Sequence, residues 1–229
     1  MRVLAVDTSH PRGTVAFLRE NGRVDGIRLE RSAFHLVDLS RAVSELLVPE
    51  RPRGSLIDRA AIVIGPGSFT GLRIGMAFVK GLHAGLGCDL VTMTSLELLS
   101  RQALSGGLPV AAMIDARKDE VYAAYYARDG SEMIAPRAET PAAFLAGLPR
   151  TPAAFIGSGA LRYRDLVTGV FGPDARIPAE DDHAPDAGLL ARLAAGLPPL
   201  APEEVVLLEP LYIRPSDIKL KPLRSVRPV

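Results

Sequence analysis

Asp7, Thr8 and Ser9 close a short apolar run near the start of the chain, and Gly65-Pro66-Gly67-Ser68-Phe69-Thr70-Gly71 closes another. An acid at a strand end can hold Mg²⁺, and the N–H groups of a glycine-rich turn that opens a helix favour anions. Asp7, Thr8, Ser9, Gly65, Pro66, Gly67, Ser68 and Thr70 are therefore the candidates for a nucleotide or phosphate cleft. The loop lacks the lysine that reaches phosphates in P-loop proteins, so it supports tight ATP binding only weakly. A second reading stays open: Asp7 as a strand-end carboxylate accepting hydrogen bonds from a neighbouring turn, and the glycines as sites of close backbone approach. His10, His83 and His183 show no ligand spacing and read as surface or packed imidazoles. The single cysteine, Cys88, excludes an internal disulfide or a thiolate cluster. A Ser-His-Asp or Cys-His constellation cannot be assembled with any specificity, so no catalytic residue and no metal site are assigned.

The elements that would position these groups follow from pattern. Val3 to Asp7 and Thr14 to Leu18 read as strands, and Asn21-Gly22 is a hairpin dipeptide leading into Arg23 to Leu29. Leu36, Leu39, Val43 and Leu46 recur at helical spacing until Pro49 and Pro52 stop them. Ala60 to Ile64 is a strand, Gly71 to Leu86 a helix, Leu90 to Thr94 a strand, and Ser95 caps a helix to about Leu104. After the linker Gly106-Gly107-Leu108-Pro109 the plan repeats. Val110 to Asp115, Glu120 to Arg128 and a strand from Glu132 come first. Thr140-Pro141 then opens a helix to Gly147, and Ala153 to Ile156 runs into Gly157-Ser158-Gly159 and a further helix. Asp7 thus corresponds to Asp115, and the glycine turn at 65 to that at 157. This duplication predicts two lobes facing each other across a cleft, residues 1–105 and 106–215, followed by a basic tail over 216–229.

Composition bounds the function. The chain has 229 residues, 48% of them apolar, which is ample for buried cores. Its apolar runs reach about five residues, far below the roughly 20 that span a bilayer, and the N-terminal run is too short for a secretory signal. A cytoplasmic, non-membrane protein is expected. With 27 basic and 26 acidic side chains and a net charge of +1, bulk electrostatics attract polyanions little, so tRNA or any other nucleic acid would be met locally or through a partner.

The run Gly65-Pro66-Gly67-Ser68-Phe69-Thr70-Gly71-Leu72-Arg73-Ile74-Gly75 resembles the signature of the bacterial TsaB (YeaZ) family. Further matching segments are Ala5 to Ser9, His35 at the opening of the first helix, Ile114 to Arg117 with Glu120 to Tyr122, Gly157 to Ala160, and Pro210 to Arg214. The resemblance implies an α/β fold of tandem actin-like (ribonuclease H-like) lobes, each a mixed five-stranded sheet with flanking helices. It implies a non-catalytic partner of TsaD, which carries the metal and the transferase chemistry, with the ATPase TsaE as a third component. Their product is threonylcarbamoyladenosine beside the anticodon of tRNAs reading codons that begin with A; tRNA would be reached only through the complex, and ATP and metal would sit on the partner subunits. TsaD-like enzymes carry two histidines three residues apart on one helix face; here His35 is followed by Leu39, so one ligand of the pair is absent. Two alternatives remain: an ATP-dependent phosphotransferase of the actin-like superfamily, and a peptidase-like regulator.

The helix after the signature carries glycines at 71, 75, 81 and 85, and each interior glycine costs roughly 0.5 to 1 kcal/mol against alanine. Their spacing suggests small faces for the close approach of another helix. The expected partner interface is His35, Leu36, Leu39 and Val43 on the first helix, with Gly71, Arg73, Gly75, Met76 and Val79 on the second. It would meet TsaD in the complex, or a second copy of the chain when alone. Packing inside the chain's own domain is the competing account for about half of the glycines. The basic tail, with Lys219, Lys221, Arg224 and Arg227, is expected to be solvated, disordered or folded back on the first lobe.

Overall fold

The computed structural model describes residues 1–29, 36–47 and 56–214. His35 and the tail over 216–229 lie outside them, as does the side chain of Leu36. The first half runs β1 (Val3–Asp7), β2 (Thr14–Leu18), β3 (Val24–Arg28), α1 (Leu36–Leu47), β4 (Arg59–Val63), α2 (Phe69–Leu86), β5 (Asp89–Met93) and α3 (Ser95–Ala103). The second runs β6 (Val110–Arg117), β7 (Glu120–Tyr126), β8 (Glu132–Glu139), α4 (Pro141–Ala146), β9 (Ala153–Ile156), α5 (Ser158–Arg162), α6 (Arg164–Phe171) and β10 (Ala175–Arg176), and the described chain closes with α7 (Ala187–Ala194) and α8 (Pro202–Leu207).

Each half forms one five-stranded sheet, in the orders β3-β2-β1-β4-β5 and β10-β9-β6-β7-β8. In the first, β1, β2 and β3 pair antiparallel, whereas β4 joins β1 and β5 joins β4 in parallel. The second copies this strand for strand: β6, β7 and β8 antiparallel, then β9 and β10 parallel. A repeated mixed sheet of this order is the tandem actin-like, ribonuclease H-like architecture.

Helices cover both faces of the sheets, so the inner strands are apolar on both sides. In β1, Leu4 and Val6 join a core with Leu39, Val43 and Leu46 of α1 and Met76 and Val79 of α2. The alternate residues, Val3 and Ala5, face Leu98 of α3 and Ala187, Leu190, Ala191 and Ala194 of α7. The second sheet packs one face on α4 and α6 through Phe144, Leu145, Val167 and Phe171. Its other face meets Leu96 and Leu99 of α3. α3 therefore lies between the two sheets. The chain also returns after the second sheet: Arg59, buried on β4, donates to the carbonyls of Ala194 (2.8 Å) and Leu197 (2.6 Å) at the end of α7, where a cation complements the helix dipole.

Helix starts follow capping chemistry. Ser68 accepts from the Gly71 N–H, so α2 begins at Phe69 rather than at Gly71. Thr94, not Ser95, caps α3 by accepting from the Glu97 N–H. Thr140 with Pro141 at the first turn opens α4.

Candidate functional site: two strand-end acids and their glycine loops

In the first lobe the β1 end and the glycine loop are in direct contact. Asp7, Thr8 and Ser9 are buried, at 0%, 1% and 5% exposure. One oxygen of Asp7, Oδ1, accepts the Ser9 N–H at 2.8 Å, and the Ser9 carbonyl accepts the Ser68 N–H at 2.7 Å. The glycines make this approach possible. A β-carbon on Gly67 would stand 2.3 Å from the Ser9 carbonyl oxygen, one on Gly71 would stand 2.0 Å from that of Thr8, and one on Gly75 2.2 Å from Thr8 Oγ1. Gly65 holds a left-handed φ of +111° before the cis Pro66. The turn after β1 and the start of α2 are thus packed directly against each other. Thr70 stands apart, exposed on α2.

Enclosure sets the electrostatics of Asp7. Among the described residues its second oxygen, Oδ2, has no hydrogen-bond partner, nor does Thr8 Oγ1. Burial pushes the carboxyl up from 3.8 to about 7, against the smaller opposing effect of the Ser9 hydrogen bonds. The reading of Asp7 as a strand-end carboxylate tied to its own turn describes this geometry; a solvent-facing Mg²⁺ ligand does not.

The second lobe repeats the backbone device with an open acid. A β-carbon on Gly157 would stand 2.3 Å from the Met113 carbonyl oxygen, and one on Gly159 3.0 Å from the same atom. Asp115 is half-buried and its Oδ2 pairs with Arg162 at 2.9 Å, while Oδ1 accepts the Arg117 N–H at 3.1 Å. The β6–β7 hairpin carries three consecutive left-handed residues, Arg117, Lys118 and Asp119. His183, buried at 2% exposure, accepts the Gly157 N–H on Nδ1 at 3.0 Å, which leaves Nε2–H to donate to the Pro178 carbonyl at 3.1 Å. It is a packed imidazole that buttresses the second glycine loop.

The residues expected to face a partner divide. Leu39, Val43, Met76 and Val79 are buried in the chain's own core, and Gly71 and Gly75 are occupied by Thr8. Their placement on an outward surface is corrected here: a helix covering a sheet must bury its apolar stripe, and in α1 and α2 that stripe includes these positions. Arg73 is exposed, its guanidinium 3.8 Å from the Phe69 ring centre and its Nε donating to the Tyr212 hydroxyl at 3.0 Å. The outward side of α2 is instead Thr70, Arg73, Ala77, Gly81, Ala84 and Gly85, and a β-carbon on Gly81 or Gly85 would meet nothing within 4 Å. Among the described residues no group of three or more His, Cys, Asp or Glu side chains could hold a metal ion, and no helix is long and apolar enough to cross a membrane.

Sequence reasoning missed the Phe69–Arg73–Tyr212 cluster and the role of His183. The first was visible only as two separate segments, the signature that holds Phe69 and Arg73 and the stretch Pro210 to Arg214; the second joins residues 26 apart in sequence and left no local signal.

Fold and site together define a two-lobed actin-like protein whose first-strand acid is sealed by its own glycine loop. The family described as "TsaD: tRNA N6-adenosine threonylcarbamoyltransferase" matches residues 30–158, over half of the chain. The tRNA threonylcarbamoyladenosine biosynthesis protein TsaB of Escherichia coli K12 is 34% identical over 131 residues, covering 56% of this chain and 56% of the relative. TsaB of Bacillus subtilis 168 is 27% identical over 219 residues, covering 91% and 96%. The solved structure of YeaZ from Pseudomonas aeruginosa superimposes with a TM-score of 0.74 at 29% identity, covering 92% of this chain and 99% of that one. The chain belongs to this threonylcarbamoyltransferase-related family and, within it, to the TsaB (YeaZ) branch.

Proposed function

We propose that this chain is the non-catalytic partner subunit that TsaD needs, together with TsaE, to form N6-threonylcarbamoyladenosine in tRNAs reading codons that begin with A. The observation that carries the reading is the likeness to B. subtilis TsaB along nearly the whole of both chains. The sealed Asp7 favours it over an ATP-dependent phosphotransferase, because a carboxylate at 0% exposure offers no oxygen to a metal–nucleotide complex. In this reading ATP and metal belong to the partner subunits, tRNA is met only through the complex, and the work is done in the cytoplasm.

The lobes are divided at 105/106, with α7 as an arm of the second half laid on the first. The partner surface is the outward side of α1 and α2, meeting TsaD in the complex and a second copy of the chain when alone. Val37 is 65% exposed on α1. Gly81→Glu is expected to abolish co-purification with TsaD at unchanged circular dichroism; retained binding removes this surface from the reading.

Reconstitution tests the function itself. The purified chain, TsaD, TsaE and tRNA are mixed with each protein omitted in turn, and the modified nucleoside is followed by mass spectrometry. Product is expected only when all three proteins are present. Full product without this chain, or metal-dependent ATP turnover by the chain alone, would refute the proposal.

A further inference from the structure

A well-formed opening lies away from the sealed acid. A cavity of about 760 Å³ lies where the two lobes meet, within the roughly 300 to 1,000 Å³ typical of small-molecule sites. It shares no lining residue with the Asp7 to Ser9 turn or the 65–71 loop.

Its chemistry is cationic on an apolar floor. Arg12 comes from the β1–β2 hairpin, Arg28 from the end of β3 and Arg176 from the end of β10, so both lobes contribute guanidiniums; Ile156 and Ile177 supply apolar wall. Among the described lining residues two are carboxylates, and neither satisfies these cations. Asp186 is engaged at the N-terminus of α7, its Oδ1 accepting the Gly188 N–H at 2.8 Å. Asp181, 79% exposed, reaches Arg12 only at 3.9 Å, a loose solvent-screened pair. Arg28 pairs through its backbone with Thr14 in the β2–β3 ladder, and its side chain makes no hydrogen bond or ion pair among the described residues. Arg176 donates one N–H to the Pro173 carbonyl, which leaves most of its five donors unmet.

We infer that this interlobe cavity binds a small organic anion, a phosphate or carboxylate group carried on an apolar body, with the oxyanion held by Arg28 and Arg176 and the body against Ile156 and Ile177. A planar guanidinium fork matches either oxyanion in paired hydrogen bonds. A ligand held this way would touch both lobes at once. A polyanion such as RNA is the poorer fit, because a concave space of this size encloses a small molecule.

The full-length chain is titrated calorimetrically with 4-nitrophenyl phosphate, 4-nitrobenzoate and inorganic phosphate, beside Arg28→Gln and Arg176→Gln. Saturable binding of at least one of the two organic anions is expected, tighter than that of inorganic phosphate; which one binds better separates the phosphate source from the carboxylate source. Each substitution should weaken it about tenfold or more, the scale of a lost charged hydrogen bond, with Tm unchanged because both side chains are exposed. Absence of saturable binding by both organic anions, or affinity that survives both substitutions, would overturn the inference.

Discussion

Asp7 and Asp115 occupy the same place in two copies of one sheet, yet they live in opposite environments. Asp7 ends β1 with no exposure and an unpartnered oxygen. Asp115, on β6, pairs with Arg162, whose side chain is half exposed. The glycine loops beside them do the same mechanical work, since Gly67 and Gly157 each bring a loop to a point where a β-carbon would stand 2.3 Å from a carbonyl oxygen. Close backbone approach has been kept in both halves while the acids have diverged. The glycines therefore report on the fold, and the acids on what each half is free to do.

The most damaging way to probe the shared device is to fill it. Gly71→Val should destabilise the chain by more than the roughly 3 kcal/mol usual for overpacking, since its β-carbon meets backbone 2.0 Å away and backbone cannot yield as a side-chain tip can. Urea unfolding measures it; a loss below about 1 kcal/mol would mean that the loop and strand end are not in contact. Gly157→Ala should cost on the order of 3 kcal/mol, since it adds a left-handed φ of +104° to the same clash.

The acids separate by pH. Asp7 titrates at 3.8 unfolded and at about 7 folded, so the folded state binds the extra proton between those values. Stability from this group is whole below pH 4, falls as pH rises towards 7, and is constant above it. The total is on the order of 4 kcal/mol. Asp7→Asn should remove that fall, seen as a flattened difference between the two curves of unfolding free energy against pH. An identical slope in both proteins would contradict the burial of the carboxylate. Asp115→Asn should lose at most about 1 kcal/mol, less in high salt, because its partner is half exposed. At the small end, Gly81→Ala on the open side of α2 should add about 0.5 to 1 kcal/mol, read as a raised urea midpoint.

The strands were legible where alternate faces are both buried. The bounds of β1, β2 and β9 read from the sequence coincide with those of the structure, because unbroken apolar runs closed by acids or glycine leave little freedom. The duplicated order was equally plain. The direction in which glycines face was not: one-turn spacing is the same whether the near neighbour is a foreign helix or Thr8 of the same chain, and only tertiary contact distinguishes them. β10 and α7 escaped for the same reason. Two residues cannot carry a period, and α7 reads as a strong element only once the sheet it covers, which begins at Val3, is in place. The guanidiniums at 12, 28 and 176 likewise belong together only after folding.

The return of α7 bears on the order in which the molecule is made. Val3, Ala5, Ala16 and Val63 turn towards a helix that leaves the ribosome only after residue 187. Until then, among the described residues, that side of the first sheet has only Leu98 of α3 from the set that finally shields it, so these strands wait for a much later element to close over them. A nascent chain of this design carries an adhesive surface until α7 has emerged.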